Sequence, residues 1–188
     1  MKLDIPYNME HDYNELLHEV PKESMEMEKG VAFILDKINE AENDNDSAHL
    51  HSNVGVYLRI LNRLDESEKY LKEAIRLFKA ADKLAPRIQA DIRLASTKHW
   101  QKHFFDAEKI FNDCLKYIEK HKEQAIMQAL EDYCLYFKGK MRFEQGQLDG
   151  ALEVFSKCHE LRLIRGDQHL MDMAAHCMHV VKEKKDSK

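Results

Sequence analysis

The sequence predicts an all-α protein built of stacked antiparallel helix pairs, and two observations carry that expectation. Only three prolines and six glycines punctuate 188 residues, of which 44% are apolar and 34% charged; a turn-rich β fold of this length needs more breakers. A helix–turn–helix outline also recurs three times along the chain in register, which is the mark of a repeat array.

Taken in order, the chain opens with Asn8 to Glu19, where Met9, Tyr13, Leu16, Leu17 and Val20 follow helical spacing and Pro21 is a stop. A longer helix is expected over Lys22 to Asn43, with Met27, Val31, Ile34, Leu35 and Ile38 stepping by three and four, closed by Asn43-Asp-Asn-Asp46. Residues 1–46 therefore read as an N-terminal helical pair, a degenerate repeat or cap.

Residues 47–166 hold the three repeats, the clearest being Ser52 to Phe78. Ser47 or Asp46 can cap its first helix, which is striped by Leu50, Val54, Tyr57, Leu58 and Leu61. Asn62-Arg63-Leu64 turns the chain, and Asp65 with Glu68 forms a D-x-x-E variant of the capping box. The second helix is striped by Tyr70, Leu71, Ala74, Ile75 and Phe78. Two helices joined by so short a turn pack as an antiparallel hairpin.

Aligning the segments that begin at Leu64, Phe104 and Leu148 gives four columns without a gap: Leu64/Phe104/Leu148, Ser67/Ala107/Ala151, Leu71/Phe111/Phe155 and Ala74/Cys114/Cys158. Small residues Gly55, Ala95 and Gly139 precede the second column by 12 positions in every copy, and the periods are 40 and 44 residues. Small side chains let paired helices approach, and a large one fills the space beside the crossing. A last helix from Asp167 to about Lys184, apolar at Leu170, Met173, Ala174, Cys177 and Val181, is expected to cover the array, making residues 167–188 a C-terminal cap and tail.

Gly55, Ser67, Leu71 and Ala74, and again Gly139, Ala151, Phe155 and Cys158, resemble the signature columns of the tetratricopeptide repeat family over residues 47–166. The long periods are similar to those of kinesin light chains and bacterial peptide-pheromone receptors. The signature tryptophan and proline are absent from their usual places, and Lys98 and Arg142 stand at an aromatic site. The resemblance implies a right-handed α-α superhelix whose first helices line a concave groove. Transferred by position, the groove residues are His49, Ser52, Val56 and Arg59 from the first repeat, Gln89, Ile92, Ser96 and His99 from the second, and Tyr133, Tyr136, Lys140 and Phe143 from the third. Aromatic area, hydrogen-bonding Ser and Gln, and the cations Arg59 and Lys140 suit a peptide. The carboxylate clamp of chaperone adaptors is not expected, since Ser52 and Val56 replace its lysine and asparagine.

Other function classes find little support. Residues 1–48 carry 4 basic and 13 acidic side chains, net −9, and the other 140 carry 25 and 21, net +4; no basic face for nucleic acid forms. No run approaches the roughly 18 apolar residues of a membrane helix, and the acid-bearing N-terminus does not look like a leader peptide, so a cytoplasmic home is expected. Cys114, Cys134, Cys158 and Cys177 lie 19 to 24 residues apart with no CxxC, which reads as reduced, buried thiols.

His99 and His103 share a helix face, as zinc ligands can, but no third ligand is evident, and neither His176/His179 nor His49/His51 does better. No nucleophile elbow, phosphate loop or dinucleotide turn occurs. The expectation is no catalysis, no metal and no cofactor. Trp100 is either an anchor for a partner or packing between repeats. The leading reading is a scaffold or adaptor that binds a protein or peptide. The alternatives are a peptide-responsive sensor, or a structural subunit that associates with its own copies.

Overall fold

A computed structural model describes residues 3–187. Among them are two short strands, β1 (His11–Tyr13) and β2 (Glu19–Pro21), and eight helices: α1 (Ser24–Asn39), α2 (Asp44–Ile60), α3 (Leu64–Ala80), α4 (Leu84–Trp100), α5 (Phe104–Lys120), α6 (Ala125–Glu144), α7 (Leu148–Arg165) and α8 (Gln168–Asp186). The protein is nearly all-α, with α1 packed on α2, α2 on α3 and α3 on α4 and, separately, α6 on α7 and α7 on α8. Its contacts fall into two compact units, Met1–Ala107 and Glu108–Lys188.

The first unit begins with a correction. The expected helix over Asn8 to Glu19 is instead a β-hairpin, pairing His11 with Pro21, Asp12 with Val20 and Tyr13 with Glu19. Asn14 explains the difference: its side-chain oxygen accepts from the backbone N–H of Leu16 (2.9 Å) and His18 (3.0 Å), while its own N–H donates to the His18 carbonyl at 2.9 Å. An Asn side chain satisfying backbone donors in this way competes with a helix and favours a turn. Leu17 takes the left-handed conformation there, with φ 61°, and is buried to 1% exposure. Burial of its apolar side chain offsets a backbone cost of about 1–2 kcal/mol. Leu16 and Val20, counted on the predicted stripe, remain 36% exposed.

Helix α1 then lays Val31 and Ile34 against Leu50, Val54 and Leu58 of α2, and Ala48 of α2 meets Ala74, Leu77 and Phe78 of α3 and Ala90 of α4. Helix α2 starts earlier than expected. Asn43, not Ser47 or Asp46, is the cap, its side chain accepting from Asp46 N–H at 2.9 Å. The expected capping box at α3 does not form either. Arg63 precedes the helix without a side-chain cap, and both acids turn to α4: Asp65 accepts from Gln101 at 3.0 Å, and Glu68 accepts from Lys98 at 2.9 Å and Gln101 at 3.0 Å.

The turns that end α2, α3, α4 and α6 are one motif used four times. Asn62, Asp82, Lys102 and Gly146 are left-handed (φ 59°, 52°, 65° and 74°), and the next residue's N–H reaches back five positions, from Arg63 to Leu58, Lys83 to Phe78, His103 to Lys98 and Gln147 to Arg142. This Schellman closure satisfies the orphan carbonyls at each helix end.

The size columns have a direct physical basis. A Cβ on Gly55 would lie 2.5 Å from Leu71 Cγ, and one on Gly139 would lie 2.6 Å from Phe155 Cε1. The small residue on each first helix is therefore the seat of the large residue on the second. Ser67, fully buried, donates to the Gly55 carbonyl at 2.7 Å.

In the second unit α6 and α7 form the hairpin, α8 packs on α7, and Ala174, Cys177 and Val181 of α8 are buried. The four cysteines are buried free thiols. Cys134 donates to the Phe111 carbonyl and Cys158 to the Asp132 carbonyl, at 3.6 and 3.3 Å. Burial pushes the Cys158 thiol up to about 12 and raises Cys134 as well, so neither is a ready nucleophile.

Candidate binding surface

In the first unit two of the residues proposed for a groove, Arg59 of α2 and His99 of α4, lie against the hairpin. Arg59, on the last turn of α2, is 3% exposed, and its Nη1 donates to Glu19 Oε2 of β2 at 2.8 Å. Its guanidinium also lies 4.7 Å from the centre of the Trp100 ring. His18, beside Glu19 in sequence, stacks on the same indole at 4.2 Å with the planes 11° apart, and meets His99 edge-on at 5.3 Å. A buried guanidinium is tolerated only with a counter-charge and well-placed donors. The hairpin supplies that charge from 40 residues away in sequence.

Ser96, one turn before His99 on α4, is fully buried, and its hydroxyl has no hydrogen-bond partner among the described residues. Further along α2, Ser52 is buried and accepts from Arg93 Nη1 at 2.7 Å, while Asn53 is at 3.4 Å from the same nitrogen. His49 is half-buried and packs edge-on against Phe78 at 4.8 Å; burial, with Arg93 nearby, lowers its pKa. Val56 and Gln89 are half-buried, and Ile92 is a core residue.

In the second unit, Tyr136 and Lys140 are buried and in contact. The Lys140 ammonium sits 4.7 Å from the Tyr136 ring centre and 5.3 Å from Phe137, and the Arg162 guanidinium of α7 lies 4.7 Å from Tyr136. Tyr133 meets Phe137 at 4.9 Å, and Phe143 is buried. Asp132 is the anionic centre: it accepts from Arg162 at 3.4 Å and from Arg165. A separate open depression of about 790 Å³ lies among Glu119 of α5, Lys122 of the α5–α6 connection, Glu131 of α6, and Leu161 and Ile164 of α7; Glu119 and Lys122 are exposed, while Glu131 is half-buried and pairs with Lys157.

The histidine pair proposed from spacing is split by environment, for His99 is buried and His103 exposed. His176 and His179 are exposed while Cys177 between them is buried. Trp100 packs within its own unit, under Arg59 and His18. Sequence reasoning missed His18, Glu19 and Arg93. The available signal was the acidic surplus ahead of residue 48 facing a basic remainder, together with Asn14 and Pro21 bracketing a turn.

No family model matches the chain, and no curated protein matches its sequence as a relative.

Proposed function

We propose that this chain is a non-enzymatic protein- or peptide-binding module, a tetratricopeptide-like right-handed superhelix acting as a scaffold or adaptor in the cytoplasm. One observation carries the reading: a non-helical segment from outside the repeats lies on the α2–α4 face with its carboxylate on Arg59 and its imidazole on Trp100. That is the chemistry by which a groove holds an extended peptide, namely a charge-assisted hydrogen bond for register and an aromatic platform for area. The repeat columns support a frame whose packing residues are separate from its recognition residues.

The test is capture of an immobilised peptide panel by the full chain and by Arg59→Gln and Tyr136→Ala variants. At least one peptide class should be retained, and its retention should drop about tenfold or more on one of the two substitutions. A chain that retains nothing, or retains peptides equally well after both changes, would remove the groove as the basis of function.

A further inference from the structure

The hairpin tip differs from the rest of the first unit in how it is held. Its two strands have three residues each, and an isolated two-stranded hairpin is marginal in water. Leu17 at the tip buries its apolar side chain, and the tip's polar contacts with the helices include those of His18 and Glu19 with Arg59, Trp100 and His99. Charge favours the same contact, because the first 48 residues carry net −9 and the remaining 140 net +4. The tip is thus a short acidic peptide, covalently tethered, seated on a cationic and aromatic site.

We infer that the His18–Glu19 tip is an intramolecular occupant of a carboxylate-recognition site formed by Arg59 and Trp100, and that the site's partner is an acidic peptide segment presenting a carboxylate beside a flat ring, which displaces the tip. The inference rests on the peptide-binding reading above and names both the ligand chemistry and the element that competes with it. A tether of this kind gives the tip an effective concentration in the millimolar range. A free peptide making the same contacts binds weakly to the closed chain and tightly once the tip is released. The partner must then offer more than the tip does.

Trp100 is the only tryptophan, so its emission reads the site directly. The experiment uses the full chain and two released variants, Glu19→Gln and the double His18→Ala/Glu19→Ala, neither of which alters Arg59 or Trp100. The probe is a synthetic peptide with the sequence of residues 14–22. Release should move Trp100 emission to longer wavelength and speed amide exchange over residues 11–21 while helical circular dichroism is retained. The probe should then bind the released chain at least tenfold more tightly than the wild type, and a probe carrying Gln at the position of Glu19 should lose about tenfold.

Glu19→Gln keeps the side-chain shape, so a folding defect confined to the double variant leaves the test intact. Unchanged emission and exchange in both variants overturn the inference. So does probe binding that ignores either tip release or the Glu-to-Gln change. If panel peptides bind the Arg59 face equally well with the tip on or off, the inference fails while the binding-module reading stands; a released chain that binds neither probe nor panel overturns both.

Discussion

Gly55 lies under Leu71 in the first helix pair, and Gly139 lies under Phe155 in the third. Around these equivalent crossings the two pairs neutralise their buried charge differently. In the first, Arg59 projects from α2 and its carboxylate comes from the hairpin, outside the repeat. In the third, Asp132 projects from α6 and its guanidinium partner Arg162 comes from α7, the other half of the same pair. A charge closed within one hairpin is part of the frame, whereas a charge closed by a small external element can be exposed without dismantling helices. The difference teaches which buried ion pair is structural and which is exchangeable.

The largest effect should come from breaking the internal pair. Asp132→Ala leaves Arg162, 2% exposed, without its carboxylate in a site that α7 and α8 keep closed, and removal of one partner of a buried pair costs about 3–5 kcal/mol. Glu19→Ala should cost only about 1 kcal/mol, since the tip can leave and water can solvate Arg59. Urea unfolding of both variants checks this. Equal losses would mean that the hairpin is as integral to its unit as α7 is to the other.

The repeat frame was legible in the sequence because it rests on size. Gly55 with Leu71, Gly139 with Phe155, and the buried small residues Ser67 and Ala151 announce themselves as columns whatever their neighbours do. The turn positions Asn62, Lys102 and Gly146 follow the same spacing but were hidden, because a left-handed residue can be Asn, Lys or Gly, and the Schellman hydrogen bonds are made by backbone alone. Side-chain capping misled for the same reason. Once the preceding turn is closed by backbone, Asp65 and Glu68 are available to Gln101 and Lys98 of α4. The hairpin was not legible because five apolar residues in a dozen satisfy helical spacing, while the deciding interactions are two hydrogen bonds to one Asn14 oxygen. Of the groove residues, Arg59 and His99 do meet at one place, but their occupants His18 and Glu19 come from a segment that periodicity had assigned to a helix.

A smaller effect would sharpen the frame side of the comparison. Gly139→Ala and Gly55→Ala each force a Cβ into the large residue opposite, and overpacking of this kind costs about 1–3 kcal/mol. Phe155 is a rigid, fully buried ring, while Leu71 can change rotamer, so the loss should be greater at Gly139. Leu71→Val should recover part of the loss in the Gly55→Ala background, seen as a favourable coupling energy in a double-mutant cycle.

The smallest effect concerns two carboxylates of the first unit that titrate in opposite directions. Burial acts to raise Glu68, but hydrogen bonds from Lys72, Lys98 and Gln101 outweigh it and bring the group down to about 2. Asp91 on α4 is pushed up to about 6 by burial, only partly offset by Arg87, which stands 4.0 Å away. A depressed carboxylate stabilises the fold above its unfolded pKa near 4.5, and that contribution is lost as pH falls toward 2. A raised carboxylate does the reverse: the folded state holds the proton more tightly, so stability declines as pH rises from 3.8 to 6 and the full penalty persists above 6. Asp91→Asn removes the penalty. At pH 7 it should stabilise the protein by about 1 kcal/mol after allowance for partial solvent screening, a rise in Tm of about 2–4 °C for a chain of this size. At about pH 2.5 the gain should vanish, because Asp91 is then protonated in both states. Calorimetry of the two proteins across this range checks the sign, and a gain that is constant with pH would place the effect of Asp91→Asn in packing rather than in charge.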